Sequence, residues 1–157
     1  MKIKKIDFRP KKNPINNHFD LVSLEEILKK QPKDHNQFDH HKISFYVIVI
    51  VTHKSGKHSI NYKDYPFKKG TIFTLRKNNI HKFYKTGAKG KILVFTEDFA
   101  ISLADKRGTL KLFQLFNEML GSPKIQLNNS DYIEIETLVS QIEQEHLDIN
   151  DDYSIEI

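Results

Sequence analysis

Ile43-Ser44-Phe45-Tyr46-Val47-Ile48-Val49-Ile50-Val51 is β-branched or aromatic at every position but Ser44. Such a run favours extended backbone, and its lack of alternation marks a strand covered on both faces. Lys54-Ser55-Gly56-Lys57 then reads as a turn, and His58-Ser59-Ile60-Asn61-Tyr62 alternates as a return strand, so the pair predicts a hairpin. Working outward, Lys63-Asp64, Lys69-Gly70 and Lys77-Asn78-Asn79 are turn signals. They separate Tyr65-Pro66-Phe67, Thr71–Leu75 and Ile80–Tyr84, and a further apolar strand follows at Lys91–Phe95. Short strands about ten residues apart indicate a β-sandwich or barrel. Upstream, Phe19–Val22 reads as a short strand, and Ser23 caps a helix from Leu24 to Lys30 that Pro32 stops.

Beyond Thr96 the period changes to that of helices. Glu97–Leu103 and Leu110–Leu120 read as two, the second closed by Gly121 and Pro123. Ile125–Leu127 is a candidate strand. A long helix over about 130–148 carries Ile135, Leu138, Val139, Ile142, His146 and Ile149 as one stripe. Asn150-Asp151-Asp152 reads as a break and a new cap, with a following helix starting near Ser154.

Composition narrows the function classes. The 157 residues contain no cysteine, which excludes disulfides, thiolate metal sites, iron–sulfur clusters and a cysteine nucleophile. No apolar run approaches the ~20 residues that span a bilayer, and the basic N-terminus lacks a signal-peptide core. The expectation is a cytoplasmic protein with no membrane contact. The net charge of +5 is unevenly divided: residues 1–91 carry 21 Lys and Arg against 7 acids, and residues 92–157 carry 4 against 13. The lysines are scattered and form no helical stripe, so the basic half does not read as a DNA-binding surface.

From Gly70 to His81 the spacing matches the second motif of cupin barrels, a glycine, five residues, Pro-x-Gly, two residues and a histidine. Arg76 and Asn78 stand in the proline and second-glycine slots. In the first motif, the glutamate slot falls on Val49 and the histidine slots on Ile43 and Phe45, or on Lys42 and Ser44 with a longer spacer. Ile43, Phe45, Val47, Val49 and Val51 share one strand face and would line the interior, with His81 the lone member of a metal set. A metal centre needs three or more protein donors, so no metal and no cofactor is expected. Adjacent His40 and His41 cannot chelate one ion and read as a solvated or pocket-rim pair. His53 and His58, flanking a turn, are expected to be exposed, and His146 to serve packing. No nucleophile–base constellation, phosphate loop or paired carboxylates is visible.

Phe19–Ile27, His40-His41 ahead of Ile43–Ile50, Ser55–Tyr62, Lys69–Leu75, Ile80–Phe83 and Leu93–Phe99 together resemble the N-terminal sensor domain of AraC-type transcriptional regulators. The resemblance implies a mainly β, cupin-like double-stranded β-helix followed by helices that pair two subunits. It also implies an effector site in the barrel, and a C-terminal domain with two helix-turn-helix motifs that binds DNA. Nothing in 104–157 resembles that last domain, so the chain reads as a sensor fragment or a stand-alone sensor, the newly capped helix before Ile157 favouring the fragment. The expected organisation is an arm over 1–18, a barrel over 19–103 and a helical dimerisation segment over 104–157. The candidate ligand-binding residues are His41, Phe45, Tyr62, His81 and Phe83, around an apolar cavity. The alternatives are a stand-alone cupin enzyme, isomerase or oxygenase, and a dimerisation module whose barrel is packed shut.

Overall fold

The computed structural model describes residues 3–6, 19–29, 38–99 and 122–156, with side chains described as far as 147. The strands are β1 (Lys4–Ile6), β2 (Phe19–Ser23), β3 (His41–Ile43), β4 (Tyr46–His53), β5 (Gly56–Ile60), β6 (Lys63–Phe67), β7 (Thr71–Leu75), β8 (Ile80–Phe83), β9 (Lys89–Phe95) and β10 (Lys124–Gln126). Helix α1 covers Leu24–Lys29, where the Ser23 hydroxyl accepts the Glu26 amide as an N-cap. Helix α2 covers Asn129–Glu156, and Asn128 caps it by accepting the Asp131 amide at 2.8 Å.

Two five-stranded sheets face one another, ordered β1-β3-β8-β5-β6 and β10-β7-β4-β9-β2. From β3 to β9 the chain passes between the sheets at every connection but one. The exception is β5–β6, joined by the two-residue turn Asn61-Tyr62, both at positive φ. This alternation gives the jelly-roll form of a cupin-like barrel. It also corrects the predicted β4–β5 hairpin. Strand β4 has β7 on one side and β9 on the other, so β5 has no free edge there and joins the opposite sheet. The apolar run over 43–51 is bent for the same reason: β3 and β4 lie in different sheets, hinged at Ser44-Phe45. The expected turn at Lys63-Asp64 is instead strand, displaced two residues by Asn61-Tyr62.

Ile43, Phe45, Val47, Val49 and Val51 do line the interior, packed with Ile60, Phe67, Phe73, Leu75, Phe83 and Ile92 from both sheets. The other face of β4 is covered as well. Ile48 and Ile50 pack with Leu93, Phe19, Leu21 and Ile72, and helix α2 closes over them through Ile135 and Val139. The doubly apolar run is thereby explained: one face meets the opposite sheet, the other a helix. At Gly90 the two central strands come so close that a Cβ would lie 2.2 Å from the Ile50 carbonyl oxygen.

Sheet pairing extends past the 19–103 span at both ends. Strand β1, within the predicted arm, runs parallel to β3, and β10 pairs with β7. Helix α2 continues through Asn150–Asp152, so the predicted break and second cap are absent. No proline or glycine follows Pro123, and Asn and Asp each weaken a helix interior by roughly 0.7 kcal/mol or less, too little to force a stop. Residues 97–99 are helical, while the rest of the predicted Glu97–Leu103 helix and all of Leu110–Leu120 lie outside the described residues. No helix among the described residues is long and apolar enough to cross a membrane.

Candidate functional site

Strand β8 positions the centre of the site. Its register sets His81 opposite His41 of β3 on one side and opposite Ile60 of β5 on the other, with Phe83 opposite His58. His58 and His81 are therefore diagonal neighbours on one face, within side-chain reach. Their rings meet edge to face, and His58 Nε2 lies 3.0 Å from His81 Nδ1. The turn before β8 makes this register possible. Asn79 donates its amide to the Arg76 carbonyl and accepts the Arg76 amide on its side chain, while Asn78 sits at φ 76°. Asn is the residue that best tolerates the left-handed conformation glycine would otherwise supply. The departure from the glycine motif thus preserves the turn.

His58 is the most enclosed member, 1% exposed. Phe83 stacks on its ring at 4.5 Å and 14°, and Phe73 from the opposite sheet meets it edge-on at 5.0 Å. Burial, with His81 beside it, holds the His58 imidazole well below its ordinary pKa, so it is neutral at pH 7. The contact between the two ring nitrogens is one N–H···N bond, whose donor is set by the tautomers of the pair. The other ring nitrogen of His58, Nδ1, is buried with no hydrogen-bond partner among the described residues. An orphaned buried nitrogen costs about 1–3 kcal/mol.

Of the sequence-predicted set, the structure brings His41, Phe45, His81 and Phe83 to the barrel interior or its margin. His41 is 3% exposed and Phe45 and Phe83 belong to the main core, while His81 is half-buried. Tyr62 stands apart. It occupies the β5–β6 turn, 60% exposed at φ 67°, with its ring 4.7 Å from that of His40. His53 is exposed as expected, but His58 is not. That expectation fails because the turn ends at Ser55: His58 lies within β5, on the inward face with Ile60. The parity with Ile60 was the available signal. His146 packs against Phe19 and bonds Asp20 at 3.2 Å, tying α2 to β2 as a packing residue.

The donor set does not suit the metal that cupin barrels carry. The first-motif positions Ile43, Phe45 and Val49 are apolar core, and the alternative slots Lys42 and Ser44 offer no metal-ligating imidazole. No group of three or more His, Cys, Asp or Glu among the described residues is placed to hold an ion.

No curated protein matches the chain. Among solved structures, it is similar to ToxT from Vibrio cholerae O395 bound to (E)-4-(8-methylnaphthalen-1-yl)but-3-enoic acid, at 14% identity and TM-score 0.46, covering 80% of this chain and 48% of that one. An apo ToxT variant from Vibrio cholerae gives 16% identity and TM-score 0.47, over 86% of this chain and 53% of that one. Vicilin from tomato gives 15% identity and TM-score 0.33, over 76% and 40%. The chain thus spans about half the length of the ToxT structures it resembles. The family described as AraC-like ligand binding domain matches residues 26–129, most of the two-sheet barrel and the start of α2, and the chain belongs to that family.

Proposed function

We propose that this domain senses a small-molecule effector in the interior of its barrel and passes the signal to a DNA-binding domain carried outside these 157 residues, in the cytoplasm. The observation that carries the site is the cluster His41, His58 and His81, imidazoles set against the apolar, aromatic core of the barrel. Apolar walls with a few convergent polar groups are the usual character of a small-molecule site. Phe45 and Phe83 supply walls, and Tyr62 serves the rim beside His40. Regulation needs the effector to bind one arrangement of strands and helices more tightly than another; that difference sets the size of the response. A screen of small molecules by thermal shift tests the reading, because a ligand bound only to the folded state raises its melting temperature. A genuine barrel ligand stabilises the parent protein and loses that effect in His81→Phe. Stabilisation that ignores His81→Phe and His41→Phe alike would place binding elsewhere.

The enzyme alternative depends on metal chemistry, and among the described residues no group of three or more metal-ligating side chains is placed to hold an ion. Purified, untagged protein is expected to contain no stoichiometric Zn, Fe, Mn or Ni by elemental analysis. One equivalent of any of them would revive the enzyme reading.

Helix α2 supports association of two copies in this reading. Ile135 and Val139 dock on the barrel, whereas Leu138 is 49% exposed and Ile142, one turn further on, is exposed beside it. Leu138→Asp is expected to change folding stability by no more than about 0.5 kcal/mol, as befits a surface position. It should shift a concentration-dependent sedimentation profile toward the monomer. Unfolding by Leu138→Asp without any change in association would make this residue ordinary core.

A further inference from the structure

We propose that the His58–His81 pair is the polar anchor for the effector and that it selects a small, uncharged hydroxyl compound of the phenol class. The inference rests on the reading of the barrel as an effector site and adds the chemistry of what enters it. His58 Nδ1 is the atom that asks for a partner: the ring is 1% exposed, its Nε2 is engaged with His81, and Nδ1 is unpaired among the described residues.

Which hydrogen-bond role Nδ1 plays depends on where the shared proton lies. If His58 Nε2–H donates to His81, Nδ1 is a bare acceptor; if His81 donates, Nδ1 carries the proton and donates. A hydroxyl group satisfies either arrangement, because it both donates and accepts. A carbonyl or carboxylate satisfies only the second.

Charge narrows the class further. The buried polar and charged residues among those described are Asp20, His41, His58, Ser59, Thr71 and Asn79; no lysine or arginine is among them. Asp20 is engaged with His146 at the α2 side of the barrel, and Thr71 with Gln126 of β10. Among the described residues, an ionised carboxylate entering beside His58 would thus meet no buried lysine or arginine, and burying an unpaired charge is costly. Flat rings border the anchor: Phe83 lies parallel to His58, and Phe73 meets it edge-on. A planar aromatic ring bearing one hydroxyl fits both the walls and the orphaned nitrogen. His81, half-buried and bonded to His58, links the anchor to the margin of the barrel.

The test titrates the whole 157-residue protein with phenol, benzoate and toluene, three probes of one ring size. It follows the histidine imidazole nitrogen resonances and the Val49 methyls by NMR. Phenol is expected to move the His58 nitrogens and to bind at least tenfold tighter than toluene or benzoate. In His58→Phe the phenol affinity should fall to that of toluene, with toluene unchanged. Benzoate binding as tightly as phenol, or phenol affinity unaltered by His58→Phe, overturns the proposal. So does a phenol response confined to His40 and His53. If toluene enters and phenol binds no better, the anchor falls while the sensing barrel stands. If none of the three moves the Val49 methyls, the barrel admits no ligand of this size, and the effector reading falls with it. Should His58→Phe not fold, the imidazole shifts of the unsubstituted protein decide between the same outcomes.

Discussion

Phe73→Ala is expected to destabilise the domain by about 3–5 kcal/mol, a large part of the stability of a protein this size. Phe73 lies on β7, paired with the central strand β4, and is 1% exposed. Its ring crosses to the opposite sheet, meeting His58 at 5.0 Å, Phe67 at 6.0 Å and Tyr65 at 6.4 Å, each edge to face. Truncation removes the transfer energy of a buried phenyl ring and leaves a void that rigid strands on both sides cannot close. Phe73→Leu, which fills most of the space, should cost about 1.5 kcal/mol or less. Urea unfolding of the three proteins measures both values. A loss near 1 kcal/mol for Phe73→Ala would mean that the barrel around His58 is loosely filled, which bears on the packed-shut alternative. A loss in the full range puts Phe73 in a close-packed core and makes it a fixed wall of the site.

The fold class was legible because it rests on strand length and burial, which the apolar run over 43–51 and the regular turns encode locally. Pairing was less so. Nothing in Lys54–Lys57 distinguishes a hairpin turn from a crossing between sheets; the difference lies in β7 and β9, which occupy both edges of β4. The continuity of α2 was hidden for a similar reason. Asn150-Asp151-Asp152 carries cap chemistry, but a cap residue permits a boundary without imposing one.

The site was half visible. His81 stood out by its spacing from Gly70, and the inward parity of Ile43 to Val51 followed from a period of two. His58 was missed because its neighbours Gly56 and Lys57 are turn formers by composition, yet both lie in β5. The bond between His58 and His81 depends on the β5–β8 register, which brings together residues 23 apart. No local pattern carries that information.

Acid should expose the same histidine energetically. The His58 ring is neutral in the folded protein, because burial and the adjacent His81 hold its pKa well below the ordinary value. In the unfolded chain a histidine takes up its proton at about pH 6.5. Between those two values the unfolded state binds a proton that the native state does not, so stability must fall as pH falls. The contribution is intact above about pH 6.5. Below it, the loss approaches roughly 1.4 kcal/mol per pH unit and continues until the folded pKa is reached. Unfolding free energies from urea titrations at pH 7.0, 6.0 and 5.0 should show this slope in the parent protein. His58→Phe removes the titrating group while keeping an aromatic ring between Phe73 and Phe83, so its slope should be smaller by that amount. A parent protein as stable at pH 5 as at pH 7 would mean that His58 is charged or hydrated in the native state. A slope unchanged by His58→Phe would assign the acid sensitivity to other groups, and the neutral, enclosed His58 on which the recognition of an uncharged effector depends would be lost with it.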